Sequence, residues 1–167
     1  MGLKTRLSDI FNRYGFTKQA FSLCYESVLL HDARLCFQAG CTGALLNVVL
    51  FLCATQFGIL SSGKYVYLAS CIVYAAVAFA VKHAALRNMV RIQYTLLAGI
   101  YIEGILASAA YADSVSVIFP VMLAAAPQLL TERFWRMIVV TYACCLLHIL
   151  VAFHTKAPTL AWFDTIH

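Results

Sequence analysis

The sequence predicts an all-α, polytopic membrane protein, a bundle of helices that crosses a lipid bilayer several times. Hydrophobic residues make up 63% of its 167 residues and charged residues only 11%, whereas soluble domains average about 45–50% and 25%. So few charged side chains cannot form the polar surface of a soluble domain of this length. The apolar residues also gather in long runs, each near the roughly 20 residues that a helix needs to cross the hydrocarbon layer.

Residues 36–167 are predicted to form the transmembrane bundle. Its spans are expected at 36–58, 65–82, 92–111, 115–130 and 135–154. The fourth is the shortest and contains Pro120 and Pro127, so we expect a kinked helix packed against its neighbours. Residues 158–167 are too few to cross again. They either begin a sixth helix or rest at the outer surface, where a tryptophan such as Trp162 is typical of the interface.

Residues 1–35 precede the first span and are predicted to form cytoplasmic helices. Apolar residues recur at helical spacing as far as Tyr14, with charged residues on the other face. This pattern indicates an amphipathic helix that either lies on the inner leaflet or packs against the cytoplasmic end of the bundle. Gly15 ends that helix, and a second segment from Thr17 to Arg34 leads into the membrane as a helical collar.

The positive charges predict the orientation of the spans. Of the twelve lysines and arginines, ten lie before span one, between spans two and three, or between spans four and five, and only Lys64 and Lys156 lie at the opposite ends. Such residues gather on the cytoplasmic side of membrane proteins. We therefore expect a multi-pass protein in the bilayer with a cytoplasmic amino terminus. The net charge of +5 then reflects topology, and nucleic acid is not an expected partner.

The third predicted span carries a carboxyl group, Glu103, near its middle, where an ionised acid costs on the order of 3 kcal/mol. Counting inward from the arginine at the cytoplasmic end of each span, Glu103 and His148 lie twelve residues along and Asn47 thirteen. Each is then roughly 18–20 Å above the inner boundary, and Tyr74 and Tyr101 are expected near that depth. The layer is either a pocket, in which Glu103 and His148 form a proton-linked pair or bind a small molecule or cation, or an interhelical hydrogen-bond cluster.

The sequence gives little indication of haem or metal binding, of disulfide bonds or of catalysis. The histidines do not form facing pairs for haem or a metal, since His148 and His154 lie on largely opposed faces of one helix. The seven cysteines lie almost entirely within apolar runs and are read as small buried hydrophobes. No nucleophile, metalloprotease or phosphate-binding motif is present, so neither a cofactor nor an enzymatic activity of this chain is expected.

Four features carry a family resemblance. They are the amphipathic segment before Gly15, the collar at 25–34, the Phe119-Pro120 to Pro127 pattern in span four, and Trp162-Phe163-Asp164 where a sixth helix would start. With this layout the chain resembles the amino-terminal membrane region of bacterial diguanylate cyclases, in which a six-helix sensor precedes a cytoplasmic GGDEF catalytic domain. The resemblance implies a sensor in the bacterial inner membrane. Because the sequence has no GGDEF signature, it implies the sensing and anchoring part, with a completed sixth helix returning the chain to the cytoplasm.

The leading functional expectation is a sensory or anchoring module that detects a small ligand or a membrane state. It would relay helix displacement to a cytoplasmic output domain, and we expect a homodimer. One alternative is a small transport component similar to the substrate-binding membrane subunit of an energy-coupling-factor importer, with Ala39, Gly40, Gly43 and Ala44 as a small-residue coupling face. Another is a structural or assembly protein without a ligand.

Overall fold

A computed structural model describes residues 18–57, 63–113, 118–125 and 134–166, and every regular element among them is helical. The prediction of an all-α fold is therefore confirmed over this part of the chain. The helices are α1 Lys18–Phe57, α2 Lys64–His83, α3 Met89–Ala110, α4 Ile118–Ala125, α5 Phe134–Thr155 and α6 Pro158–Ile166. A 3₁₀ turn, Leu86–Asn88, joins α2 to α3.

Four stretches of the described chain are helical, long and apolar enough to cross a membrane: Ser22–Gln56, Lys64–His83, Leu86–Ala110 and Ile138–Thr155. By length and composition these helices mark a membrane protein. They correspond to the first, second, third and fifth predicted spans. The fourth, 115–130, is described only over the eight residues of α4, so five spans are not established. The amphipathic helix expected before Gly15 lies outside the described residues.

Helix α1 joins two elements that the sequence analysis separated. The collar expected up to Arg34 and the first span form one unbroken helix of 40 residues. No proline interrupts Lys18–Phe57, and its two glycines lie inside the helix, where tertiary packing outweighs their low propensity. At about 1.5 Å per residue the helix is roughly 60 Å long, about twice the thickness of the hydrocarbon core.

Helices α1 and α2 pack closely through two glycines. A Cβ atom on Gly40 would lie 2.9 Å from the backbone oxygen of Tyr74 and 3.1 Å from Cβ of Ala78. One on Gly43 would lie 2.9 Å from the Tyr74 ring. Contacts therefore move down α2 as they move up α1, so the two helices are antiparallel. Small residues permit this approach of the backbones, as is common between membrane helices.

Helix α3 lies at the centre of the bundle. In its most apolar stretch 56% of the residues are buried, compared with 17%, 28% and 11% in the stretches on α1, α2 and α5. The three outer helices expose large apolar side chains such as Leu45, Ile72 and Leu150, as expected of surfaces that face lipid. The central core cluster contains Cys36, Tyr74, Val77, Leu96, Leu97, Ile100, Tyr101, Ile105 and Phe119.

Helices α3 and α5 run parallel to each other. Near the middle of α3 the Tyr101 hydroxyl lies 3.2 Å from that of Thr141 on α5. At the carboxyl ends of both helices, Ser108 of α3 and Lys156 just after α5 contact the same residue of α6, Asp164. The carboxyl ends therefore lie together. Helix α6 forms where the start of a sixth helix was one of two expectations, and it folds back against α5.

The cysteines depart from their expected environment. All seven are free, but only Cys36 is buried, while Cys24, Cys41 and Cys53 are exposed on the surface of α1. The expectation of burial was wrong for these three. A weakly polar side chain on a membrane helix can face hydrocarbon without loss, so an apolar sequence environment does not distinguish a core position from one that faces lipid.

Candidate functional site

Three helices contribute polar side chains to what we term the Glu103 cluster: Asn47 of α1, Tyr74 of α2 and Glu103 of α3. The Tyr74 hydroxyl donates a hydrogen bond of 2.6 Å to Oε2 of Glu103. Asn47 also interacts with this carboxyl group. All three side chains are buried. The structure thus brings together three of the five residues assigned to the polar layer.

Asn47 has one hydrogen-bonding atom without a partner. Its Nδ2 donates to the backbone oxygen of Gly43, one turn earlier, at 3.0 Å. This bond determines the orientation of the amide, because the reversed amide would place two acceptor oxygens together. Within the described part of the chain, the buried Oδ1 atom accepts no hydrogen bond. An unsatisfied buried acceptor costs about 1–3 kcal/mol, so the cluster offers an open acceptor beside a carboxyl group.

A pair of tyrosines continues the cluster towards the carboxyl end of α3. Tyr67 lies seven residues before Tyr74 on the same face of α2, is buried, and forms a side-chain hydrogen bond with Tyr111. It also interacts electrostatically with Glu103. Neither Tyr67 nor Tyr111 was among the residues predicted for the site. The spacing of seven between Tyr67 and Tyr74 was the available signal, since residues two turns apart face the same neighbour.

Four polar side chains and one aromatic ring form a second group on the opposite side of α3, which we term the His148 cluster: Ser108, His148, Lys156 and Asp164, with Phe119. The His148 ring stacks on the Phe119 ring with 4.0 Å between centroids and 14° between planes. Its side chain is buried, and no hydrogen bond of regular geometry reaches Nδ1 or Nε2 among the described residues, although the imidazole interacts with the backbone of Asp164. A neutral imidazole can accept a hydrogen bond at one nitrogen and donate one at the other.

A buried ion pair closes the His148 cluster. Lys156 pairs with Asp164, both side chains are fully buried, and the Ser108 hydroxyl donates to Oδ2 of Asp164 at 3.2 Å. Both charged groups also interact electrostatically with His148. The sequence analysis used Lys156 only as a topological charge. Its pairing depends on the reversal of the chain between α5 and α6, where Pro158 begins the new helix, and the span pattern carries no signal for it.

The structure does not bring Glu103 and His148 together. Phe119 separates them: a Cβ on Gly104, next to Glu103, would lie 3.3 Å from the Phe119 ring, and the same ring stacks on His148. Tyr101 also faces this side of α3, with its hydroxyl near Thr141. Two residues advance a helix by about 200°, so Tyr101 and Glu103 point to opposite sides.

A further buried polar contact links α1 to the amino-terminal part of α3. Nε2 of Gln93 donates to Oδ2 of Asp32 at 2.7 Å, and both side chains are buried. Asp32 was assigned only to the cytoplasmic collar. Together with the contact between Asn47 and Glu103, this bond ties α1 to α3 at two heights, with residue numbers rising together, so these two helices are parallel.

The two clusters differ in the chemistry they can perform. The Glu103 cluster presents acceptors, a carboxyl group and an amide oxygen, and therefore fits a ligand that donates hydrogen bonds. The His148 cluster presents an imidazole between an aromatic ring and an ion pair. No group of three or more histidine, cysteine, aspartate or glutamate side chains that could hold a metal ion occurs in the described ranges.

Comparisons with other proteins leave the sequence pattern as the sole basis of the resemblance to diguanylate cyclase sensor regions. No protein-family profile, no curated protein and no solved structure matches the chain.

Proposed function

We propose that the protein is a membrane-embedded sensory and anchoring module of the bacterial inner membrane that responds to a small ligand at the Glu103 cluster and relays the change to a cytoplasmic output domain. The observation that carries the proposal is the position of Asn47. Its open acceptor lies beside Glu103, and it belongs to the same unbroken helix that extends back to Lys18.

This arrangement supports relay because α1 can act as one rigid body. Asn47 lies 29 residues after Lys18 in this helix, a distance of about 44 Å along its axis. A group that binds at Oδ1 of Asn47 or at the Glu103 carboxyl changes the contact that sets the rotation of α1 against α3. A ligand shifts such an equilibrium only through a difference in its affinity for the two states. A rotation of α1 would then change its two contacts with α3 together, the one at Asn47 and the one at Asp32.

Five spans with a cytoplasmic amino terminus complete the proposed topology. Helices α3 and α5 are parallel, so the chain between Tyr111 and Phe134 has to return to the side from which α3 started. Helix α4 lies within that connection, and its Phe119 packs against both α3 and α5. A fourth span is the economical way to make that return, and the clustered arginines and lysines favour the orientation.

The packing of the glycines favours a sensor over a transport subunit. The alternative required the small-residue face around Gly40 and Gly43 to contact an energising partner. In the structure these glycines contact Tyr74 and Ala78 of α2. These two glycines are therefore used for packing within the bundle.

Hydrogen–deuterium exchange in lipid nanodiscs tests the relay. We expect the Asn47→Leu variant, which removes the open acceptor, to change amide exchange in residues 22–35, more than two turns away from the substitution. Thr141→Val is the matched control, because it removes a polar contact of α3 that does not involve α1. A change confined to one turn around residue 47, with α1 otherwise as in the wild type, would show a local packing cluster and contradict the relay.

Cysteine labelling in intact cells tests the topology separately. In a cysteine-free background, we expect Asp113→Cys to react with a membrane-impermeant maleimide from outside, and Arg87→Cys to react only after permeabilisation. Both positions are exposed and flank α3. The opposite pattern would reverse the proposed orientation.

A further inference from the structure

An open groove lies between α1 and α2, away from both polar clusters, and has a volume of about 430 Å³. We term it the α1–α2 groove. Its walls include four apolar side chains and two basic ones: Leu30, Ala33, Phe37 and Val81, and Arg34 and Lys82. On α1 the lining residues recur at 30, 33, 34, 37 and 38, which is the spacing of one helical face.

The surroundings of the groove identify a lipid as the kind of molecule it would take. Both walls belong to stretches long and apolar enough to cross the membrane, and Leu30 and Phe37 are exposed apolar side chains. A groove of this kind on the outer surface of a bundle faces acyl chains. A small polar solute would find few hydrogen-bond partners there, since Gln38 is the one uncharged polar residue of the lining.

The charges indicate which headgroup the lipid carries. Arg34 and Lys82 are exposed, come from two different helices, and meet at one groove. No acidic residue belongs to the lining described, and the nearest acid along α1, Asp32, is hydrogen-bonded to Gln93 on α3. Basic pockets between membrane helices bind anionic headgroups, and a guanidinium group is suited to a phosphate.

We propose that the α1–α2 groove binds one anionic phospholipid, with its phosphate between Arg34 and Lys82 and an acyl chain against Phe37 and Val81. The lipid would bridge α1 and α2 at the end of the bundle opposite the Lys156–Asp164 pair. This site is independent of the Glu103 cluster, so it stands whether or not the protein is a sensor.

Native mass spectrometry of the purified protein with equal amounts of phosphatidylglycerol and phosphatidylcholine tests the proposal. We expect the wild type to retain one phosphatidylglycerol in preference to phosphatidylcholine. The double variant Arg34→Gln/Lys82→Gln should lose roughly tenfold or more of this preference. Arg87→Gln/Arg91→Gln is the matched control, because it removes two exposed cations outside the lining and should keep the preference.

A second variant tests the apolar part of the site without changing charge. Ala33→Trp fills the groove, and we expect it to reduce retention of phosphatidylglycerol while both cations remain. Equal effects of the two double variants would show general attraction to positive charge and overturn the site. Displacement of the lipid by glycerol phosphate alone would show an anion site without a lipid chain. A change of oligomeric state in Ala33→Trp, with unchanged lipid retention, would identify the groove as a contact with a second copy.

Discussion

The two polar clusters on either side of α3 differ in how their buried ionisable groups are paired. Both hold ionisable groups at depth in an apolar bundle. In the Glu103 cluster the carboxyl group is paired with a neutral hydroxyl and an amide from two other helices. In the His148 cluster two opposite charges pair with each other, while the imidazole beside them makes no hydrogen bond of regular geometry in the described chain.

The polar groups of the two clusters fall into two kinds: those whose partners account for their burial, and those whose burial no contact in the described chain accounts for. Hydrogen bonds between membrane helices contribute about 0.6 kcal/mol on average, up to about 1.7, so the bond from Tyr74 to Glu103 is a modest structural contact. A buried ion pair is worth little against an apolar replacement, but the loss of one partner costs a great deal. Oδ1 of Asn47 has no partner among the described residues, and the nitrogens of His148 make no hydrogen bond of regular geometry there beyond an interaction with the Asp164 backbone. These are the atoms to examine for function.

The largest effect is expected at the ion pair. Replacement of Lys156 by methionine leaves Asp164 buried without its counter-charge, and should lower the free energy of unfolding by about 3–5 kcal/mol. Reversible unfolding in mixed micelles measures this. The double variant Lys156→Met/Asp164→Leu removes both charges and should recover most of the loss. A loss below about 1 kcal/mol in the single variant would mean that water reaches Asp164, and the contrast between the clusters would disappear.

A smaller effect is expected in the Glu103 cluster. Tyr74→Phe removes the hydroxyl that donates to Glu103 but keeps the ring against Gly43, so the loss should be about 0.6–1.7 kcal/mol. Tyr65→Phe is the control, since Tyr65 lies on the same helix and is 60% exposed; it should change the unfolding free energy very little. Equal effects of both variants would place the contribution of Tyr74 in its ring environment and not in the bond.

The smallest effect is expected at the histidine. His148→Leu loses the stacking on Phe119, worth about 0.5–1.5 kcal/mol, and an interaction with the Asp164 backbone that falls short of regular hydrogen-bond geometry. It also relieves the burial of poorly paired polar atoms, which costs about 1–3 kcal/mol. The free energy of unfolding of the variant should therefore lie within about 1 kcal/mol of the wild-type value, or above it. His154→Leu, at an exposed position of the same helix, is the comparison. A loss above 2 kcal/mol for His148→Leu alone would reveal a partner bound to the imidazole in the purified protein.

Residue counting assigned Asn47 and Glu103 to one layer, because helices rise by a nearly constant distance per residue. The two residues were counted from Arg34 and Arg91, and the structure brings their side chains together on parallel helices. Counting gives depth but no direction around the helix axis. For that reason Glu103 and His148, equal in depth, lie on opposite sides of α3 with Phe119 between them.

Other features of the fold depend on contacts between helices, and the pattern of apolar residues along the sequence does not predict these contacts. The continuity of α1 across the collar could not be read from the sequence, because charged residues near Arg34 mark a membrane boundary whether or not the helix ends there. The pairing of Lys156 with Asp164 depends on the return of α6 against α5. Asp32 was predicted only as part of the collar, and its contact with Gln93 joins two helices that the pattern of either one does not relate.

The central position of α3 has a consequence for biogenesis. It is the least hydrophobic of the four helices that could cross the membrane, and it carries both Gln93 and Glu103. Such a segment partitions poorly into lipid by itself. Its polar groups find their partners on α1 and α2, which leave the ribosome first. Membrane integration of α3 should therefore depend on retention of the two earlier helices beside the translocon, so the order of synthesis becomes part of how this bundle assembles.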